Sequence, residues 1–103
     1  MSEMLQRELA RIIGRISRVG TRKVILFGSL LSDKTGLTSD IDLIIIRDTQ
    51  ERFLDRIETV YREIEPNVAV DILVYTPQEI EEMSRWSSFI RRALKEGRVL
   101  YEA

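Results

Sequence analysis

The chain has 103 residues, of which 44% are hydrophobic and 32% are charged, and its formal net charge at pH 7 is −1. It contains no cysteine and no histidine, which excludes disulfides, cysteine nucleophiles, serine–histidine triads and the usual zinc ligands. A bound metal ion would need oxygen ligands, which magnesium, manganese and calcium prefer. A chain of this length has room for one modest core, so we expect a single domain spanning residues 1–103.

The sequence carries none of the features expected of membrane or secreted proteins. No stretch approaches the roughly 20 apolar residues of a membrane span. The N-terminal segment contains acidic residues and lacks the apolar centre of a secretory signal. The near-neutral net charge gives no general attraction to nucleic acid or to an anionic membrane. We therefore expect a soluble cytoplasmic protein.

The first part of the chain alternates between helical and extended patterns. Apolar residues at helical spacing from Leu5 to about Arg18 predict an amphipathic helix. Its opposite side is basic, and we interpret it as a solvated face formed by Arg7, Arg11, Arg15 and Arg18. The apolar run 23–27 predicts a buried strand that ends at a Gly28-Ser29 turn. The more polar segment 30–39 is typical of a short helix, capped by Ser29, followed by a loop.

The middle of the chain predicts a strand, a helix and another strand. Residues 41–46 are nearly all apolar after Asp42, which is typical of a strand covered on both faces. Residues 50–64 return to helical spacing and predict a helix with one apolar side, formed by Phe53, Ile57, Val60, Tyr61 and Ile64. Residues 68–75 read VAVDILVY and predict a third strand.

The C-terminal part predicts two helices and a final short strand. Residues 76–79 (TPQE) have the form of a capping box with proline at the first helical position. A further helix is predicted from Ser87 or Ser88 to about Gly97, with a strand over 98–101. The order of elements predicts an α/β (α+β) fold, with a small sheet of three to four strands flanked by helices.

Three aspartates are candidate ligands for a divalent metal ion. Asp40 and Asp42 are two residues apart at the start of a strand, so their side chains project from the same face. Taken alone, this pair is also compatible with an ordinary turn that leads into a strand. Asp71 lies inside an apolar strand, where we expect it to be buried, and a buried carboxylate requires a partner. A metal ion shared with Asp40 and Asp42 meets that requirement, and the structural alternative is a buried arginine or a helix N-terminus.

The Gly28-Ser29 pair is the candidate phosphate-binding segment. Glycine lets the backbone approach a ligand closely, and the amides at the start of the next helix form a site for an anion. A simple turn is the alternative for any such pair. Phosphate-binding amides beside a carboxylate cluster are the two parts of a magnesium–nucleotide site.

With these motifs the chain resembles the nucleotidyltransferase superfamily that includes DNA polymerase beta. More narrowly, it resembles the small minimal nucleotidyltransferases (MNT-type) of bacteria and archaea. The resemblance covers nearly the whole chain. Five segments carry it: LFGS at 26–29, SDIDL at 39–43, VDI at 70–72, FIRR at 89–92 and VLYE at 99–102.

The resemblance implies a mixed sheet flanked by helices and a magnesium-dependent transfer reaction. Gly28 and Ser29 would hold the triphosphate of ATP or another nucleoside triphosphate. Asp40 and Asp42 would coordinate two magnesium ions, while Asp71 would complete one metal site and help to activate the acceptor hydroxyl. The product would be a hydroxyl carrying a nucleoside monophosphate, AMP where ATP is the substrate.

The resemblance also implies a protein partner. Stand-alone proteins of this group are often paired with a small helical HEPN-type partner in toxin–antitoxin modules, and the acceptor would be a tyrosine of that partner. Leu30 and Asp33 stand where small family members often have an arginine and a glycine. This departure favours an alternative, a non-catalytic antitoxin or binding subunit with a vestigial nucleotide site. Four basic residues are candidates to replace the missing positive charge, namely Arg85, Arg91, Arg92 and Lys95. The alternative is that they belong to a solvated helix surface.

A chain of this size leaves its site open on one side. We therefore expect a partner protein or a second copy of the chain, as a homodimer, to supply the missing wall. Trp86, Phe89 and Tyr101 are aromatic candidates for that contact, with a place in the core as the alternative for each.

Overall fold

The computed structural model describes residues 2–17, 20–27 and 40–103. The helices are α1 (Glu3–Ile16), α2 (Phe53–Ile64), α3 (Pro77–Met83) and α4 (Ser88–Glu96). The strands are β1 (Thr21–Leu26), β2 (Ile41–Arg47), β3 (Val70–Tyr75) and β4 (Arg98–Glu102). Arg18 and the predicted helix after Ser29 lie outside the described residues. None of the described helices is long and apolar enough to cross a membrane.

The four strands form one mixed sheet in the order β3-β2-β1-β4. β2 and β3 are parallel, whereas β1 pairs antiparallel with both β2 and β4. All seven residues of β2 are buried, which confirms the predicted strand covered on both faces. The mixed sheet with flanking helices confirms the predicted fold class.

Alternate residues of β2 belong to two separate hydrophobic clusters. Ile41, Leu43 and Ile45 pack in one cluster with buried residues of α1 and α2. Ile44 and Ile46 pack in the other with buried residues of α3 and α4. Within the described residues, the sheet therefore has a pair of helices on each face. Asp42 shares the face of Ile44 because side chains alternate along a strand.

The basic side of α1 is only partly the solvated face that its spacing predicts. Arg7 is exposed, as expected. Arg11 instead donates hydrogen bonds to the carbonyls of Ile64 at 2.7 Å and Glu65 at 3.0 Å, at the C-terminal end of α2. Arg15 pairs with the carboxylate of Glu65 at 3.0 Å. The last carbonyls of a helix lack partners within the helix, so these arginines link α1 to α2.

The predicted start of α3 is confirmed in detail. The Thr76 hydroxyl accepts from the Glu79 amide at 3.1 Å, and the Glu79 carboxylate accepts from the Thr76 amide at 2.9 Å. Pro77 is the first residue of the helix. The same Glu79 carboxylate binds the Arg56 guanidinium at 2.7 Å, so the cap of α3 is also tied to α2.

Candidate active site

Asp42 and Asp71 lie side by side on adjacent strands. They are Cα partners in the parallel pairing of β2 and β3. Neighbouring strands are about 4.8 Å apart, and the side chains of paired residues project from the same face. Both carboxylates therefore stand on the face covered by α3 and α4, near the N-terminal ends of their strands. Asp42 is only 6% exposed.

The expectation that Asp71 is buried was wrong. Its side chain is exposed, although Val70 and Ile72 beside it in sequence are buried. Those two neighbours pack in the cluster of α1 and α2, on the opposite face of β3. β3 is also the last strand of the sheet in its described order. The apolar residues on either side of Asp71 therefore do not bury its carboxylate. The argument that Asp71 needs a partner because it is buried does not apply.

Asp40 occupies a bend immediately before β2 and is exposed. Its amide donates to the carbonyl of Ala69 at 2.8 Å, and the Ile41 amide bonds to the same oxygen at 3.2 Å. These bonds join the starts of β2 and β3. The described part of the chain contains no group of three or more carboxylates placed to hold a metal ion. The structure thus brings Asp42 and Asp71 together, and the three-aspartate ligand set stays a prediction.

The donor chemistry of the Asp42–Asp71 pair fits a hard divalent cation. Two carboxylates on the same face and in the same register place like charges close together, an arrangement that a cation between them stabilises. Carboxylate oxygens are the ligands that magnesium takes from proteins. Asp71 is exposed and open to solvent ligands and substrate, whereas Asp42 is held in the sheet. The pair can contribute to a magnesium site, with further ligands to come from water and phosphate.

A cleft of about 390 Å³ opens beside these carboxylates. This volume lies within the range of about 300–1,000 Å³ that is usual for small-molecule sites. Its lining combines the two aspartates with apolar and aromatic side chains: Phe27, Asp42, Ile57, Tyr61, Asp71, Ile72, Leu73 and Phe89. An anionic end that can hold a divalent cation, together with an apolar remainder, suits a ligand that carries both a metal-bound phosphate and a ring.

Two phenylalanines join α4 to the end of β1 at this cleft. The rings of Phe27 and Phe89 meet edge to face, with centroids 5.5 Å apart. Phe89 was predicted as a contact for a partner or as a core residue, and the structure packs it, partly buried, against the cluster of α3 and α4, where it also lines the cleft. Phe27 is 4% exposed, and its amide donates to the Asp42 carbonyl at 3.1 Å. The aromatic wall is therefore fixed directly to the strand that carries Asp42.

Tyr61 is a cleft residue that the sequence pattern assigned only to the helical core. It lies on α2, one turn after Ile57, and both line the cleft. Its hydroxyl donates a hydrogen bond to the backbone carbonyl of Val70. Burial, and secondly the negative charge of Asp71, raise the pKa of the Tyr61 hydroxyl above its usual value. Tyr61 therefore keeps its proton and acts as a hydrogen-bond donor.

A family model described as "Polymerase beta, Nucleotidyltransferase" matches residues 11–103. The chain belongs to this nucleotidyltransferase family. The match runs from the middle of α1 through β4 and includes both Asp42 and Asp71. It confirms the predicted superfamily, while membership of the MNT-type group stays a prediction. Neither a curated protein nor a solved structure is significantly similar to the chain.

The predicted phosphate-binding pair of this nucleotidyltransferase, Gly28 and Ser29, lies outside the described residues, as do Leu30 and Asp33. Phe27 is the last described residue before that segment, and its amide is bonded to Asp42. The assignment of Gly28 and Ser29 to a triphosphate therefore stays a prediction.

Four basic residues were candidates to replace the arginine that small family members often have at the position of Leu30. They lie on the surface of the protein. All four are exposed, namely Arg85, Arg91, Arg92 and Lys95. Arg85 and Arg92 form long, solvent-exposed ion pairs with glutamates one helical turn away. This arrangement agrees with the solvated-surface interpretation. Trp86 is 66% exposed, whereas Tyr101 is partly buried against the core.

Proposed function

We propose that this nucleotidyltransferase transfers a nucleoside monophosphate, AMP from ATP, to a hydroxyl acceptor in a magnesium-dependent reaction. Asp42 and Asp71 are the proposed catalytic pair, with Asp40 as a third ligand to metal. The observation that supports this assignment is their placement: Asp42 and Asp71 are register partners at the charged end of one cleft.

The proposed reaction is an in-line displacement at the α-phosphorus. The acceptor oxygen forms a bond to phosphorus, the bond to the leaving oxygen breaks, and pyrophosphate departs. Asp71, being exposed, accepts a hydrogen bond from the acceptor hydroxyl and helps to remove its proton to solvent. Asp42 holds its place in the central strand, and Gly28 and Ser29 bind the triphosphate. Magnesium, when bound to these carboxylates, supplies the positive charge that stabilises the phosphates.

The shape of the cleft supports an aromatic acceptor. Apart from the two carboxylates, its walls are apolar and include the rings of Phe27, Tyr61 and Phe89. A phenol ring packs well against such walls, since aromatic rings favour edge-to-face contacts. We therefore propose a tyrosine of a small helical HEPN-type partner as the acceptor, in a toxin–antitoxin module.

Label transfer from α-labelled ATP to a purified HEPN-type protein, in the presence of magnesium, tests this function. Asp42→Asn and Asp71→Asn are each expected to lower the initial rate by about a hundredfold or more, because a neutral amide holds a divalent cation less tightly than a carboxylate and does not act as a base. Asp48→Asn is the matched control. Asp48 follows the other end of β2 and makes a surface ion pair with Arg22 at 2.7 Å. Transfer at the wild-type rate by both site variants would contradict the assignment.

A non-catalytic binding subunit is the second candidate function. It is favoured by Leu30 and Asp33, which replace an arginine and a glycine often found in small family members. Growth rescue distinguishes the two candidates. If Asp42→Asn and Asp71→Asn neutralise a toxic HEPN-type partner as well as the wild-type chain does, and no label is transferred, the protein acts by contact.

A further inference from the structure

The outer edge of β3 is tied to α2 by a side-chain hydrogen bond next to Asp71. The Ala69 carbonyl points toward β2, where it accepts from the Ile41 amide at 3.2 Å. Successive carbonyls along a strand point to opposite sides, so the Val70 carbonyl points away from β2. Tyr61 donates its hydroxyl proton to this outward carbonyl.

A second bond of the same type lies at the other end of β3. Arg56 donates to the Val74 carbonyl at 3.2 Å and binds the Glu79 carboxylate at 2.7 Å. Arg56 is therefore occupied in joining α2, β3 and α3, away from the carboxylate pair. Tyr61 differs because its side chain also lines the cleft that contains Asp42 and Asp71.

The Tyr61 bond acts on the peptide group that carries Asp71. The Val70 carbonyl carbon is bonded to the Asp71 nitrogen, so fixing this oxygen fixes the plane from which the Asp71 Cα extends. The Tyr61 ring is itself partly buried against the α1–α2 side of the core, which restricts its rotation. Ile57, one turn earlier on α2, lies in the same cleft wall. Helix α2 thus holds the last strand of the described sheet at the residue before the Asp71 carboxylate.

We propose that Tyr61 is a positioning residue which, through the Val70 carbonyl, holds the Asp71 carboxylate beside Asp42 and so sets the affinity of the pair for a divalent metal ion. Loss of a hydrogen bond that orients a metal-ligating residue commonly lowers metal affinity or activity by about 10- to 100-fold. The role of Tyr61 in the transfer reaction rests on the proposed function. The effect of Tyr61 on metal affinity can be measured without turnover.

The test compares Tyr61→Phe with Tyr75→Phe. Each variant removes one hydroxyl and keeps the ring. Tyr75 is a partly buried tyrosine of β3, the strand that carries Asp71, and its ring packs on that of Phe53 with centroids 5.5 Å apart. Binding of Mn²⁺ is followed by the electron paramagnetic resonance signal of the free ion. Tyr61→Phe is expected to weaken Mn²⁺ binding about tenfold, and Tyr75→Phe to leave it unchanged. Thermal unfolding of both variants verifies that they fold.

Kinetics give a second readout. In label transfer, Tyr61→Phe is expected to lower kcat by about tenfold with a KM for ATP within about twofold of wild type, because a misplaced Asp71 affects the reacting centre more than ground-state binding. Equal Mn²⁺ affinity of wild type and Tyr61→Phe would overturn the inference. So would an equal loss in Tyr75→Phe, or the absence of Mn²⁺ binding by the wild-type chain.

The two proposals fail in different ways. If the wild-type chain transfers no label but Tyr61→Phe weakens Mn²⁺ binding, the positioning role stands and the proposed reaction fails. If the wild-type chain transfers label and Tyr61→Phe matches it in rate and in Mn²⁺ affinity, the reaction stands and the positioning role fails.

Discussion

Glu8 is a carboxylate of α1 that is 7% exposed and receives hydrogen bonds from two directions. Arg11 donates to it through Nε at 2.9 Å and Nη2 at 2.8 Å, and the Asn67 amide donates at 2.7 Å. The bonds from Arg11 are the largest influence and, with those from Asn67, outweigh the opposing effect of burial. They lower the pKa of Glu8 from 4.5 to about 2. The ionised side chain of Glu8 therefore links α1 to the segment between α2 and β3.

The stability of the protein is expected to depend on the ionisation of Glu8. Because the pKa is lower in the folded state, the ionised group stabilises the fold above pH 4.5, and this contribution is lost as the pH falls from 4.5 toward about 2. In urea unfolding, Glu8→Gln is expected to be less stable than wild type at pH 7, with a difference that shrinks toward pH 2. Glu3→Gln, at an exposed ion pair with Arg7, is the control with little effect. A difference for Glu8→Gln that stays constant over this range would contradict the prediction.

The candidate site was only partly predictable from sequence at the level of residues. The sequence assigned Asp42 and Asp71 to two separate strands and predicted that they share a metal ion, and the structure shows that they are register partners lining one cleft. The exposure of Asp71 was not predictable, because the sequence does not reveal that β3 is the last strand of the described sheet. The role of Tyr61 also depends on a contact between α2 and β3, whereas its helical spacing indicates only a core position.

Among the secondary-structure elements, α4 ends at a glycine that is required by lack of space. Its φ is −67°, which any residue adopts, so backbone freedom does not explain it. A Cβ atom at Gly97 would lie 2.4 Å from the Ala93 carbonyl oxygen and 2.5 Å from Cγ2 of Ile25. The turn from α4 into β4 therefore passes so close to β1 that only glycine fits. Sequence signals placed the end of the helix correctly, but the reason for the glycine is a tertiary contact.

Two glycine-to-alanine substitutions are expected to have opposite effects. Gly97→Ala should lower the free energy of unfolding by about 1–3 kcal/mol, because the added methyl group forces backbone or core atoms to shift. Gly14→Ala is the matched control on α1, where nothing lies within 4 Å of an added Cβ. It should raise stability by up to about 1 kcal/mol, since alanine favours the helix more than glycine. Urea denaturation measures both values, and equal changes of the same sign would contradict the steric explanation.

At the scale of the whole molecule, the sheet places β2 at the centre of the packing. It lies between β1 and β3, and helices cover both of its faces. The alternation of helices and strands predicted an α/β fold, and the resemblance implied a mixed sheet. The order β3-β2-β1-β4 was not predictable from local patterns, because it depends on pairing between segments that are distant in sequence.

This arrangement predicts a gradient of amide hydrogen exchange across the sheet. Amides of β2 are expected to exchange most slowly, because that strand has neighbours on both sides and every residue is buried. Amides of β4 should exchange faster, since this strand pairs only with β1 in the described sheet and Arg98, Val99 and Glu102 are exposed. Exchange followed by nuclear magnetic resonance measures both strands in one sample. Protection in β4 equal to that in β2 would contradict the expected gradient.

The side-chain bonds to β3 also bear on how the folded chain resists aggregation. An open sheet has two edges at which a strand of another molecule can add, and folded proteins commonly block such edges. On β3, Tyr61 and Arg56 occupy the outward carbonyls of Val70 and Val74. On β4, a register shift opposite Val24 and Ile25 interrupts the regular pairing, and such irregularities twist an edge away from further pairing. These features reduce the number of backbone groups that are open to a foreign strand at both ends of the described sheet.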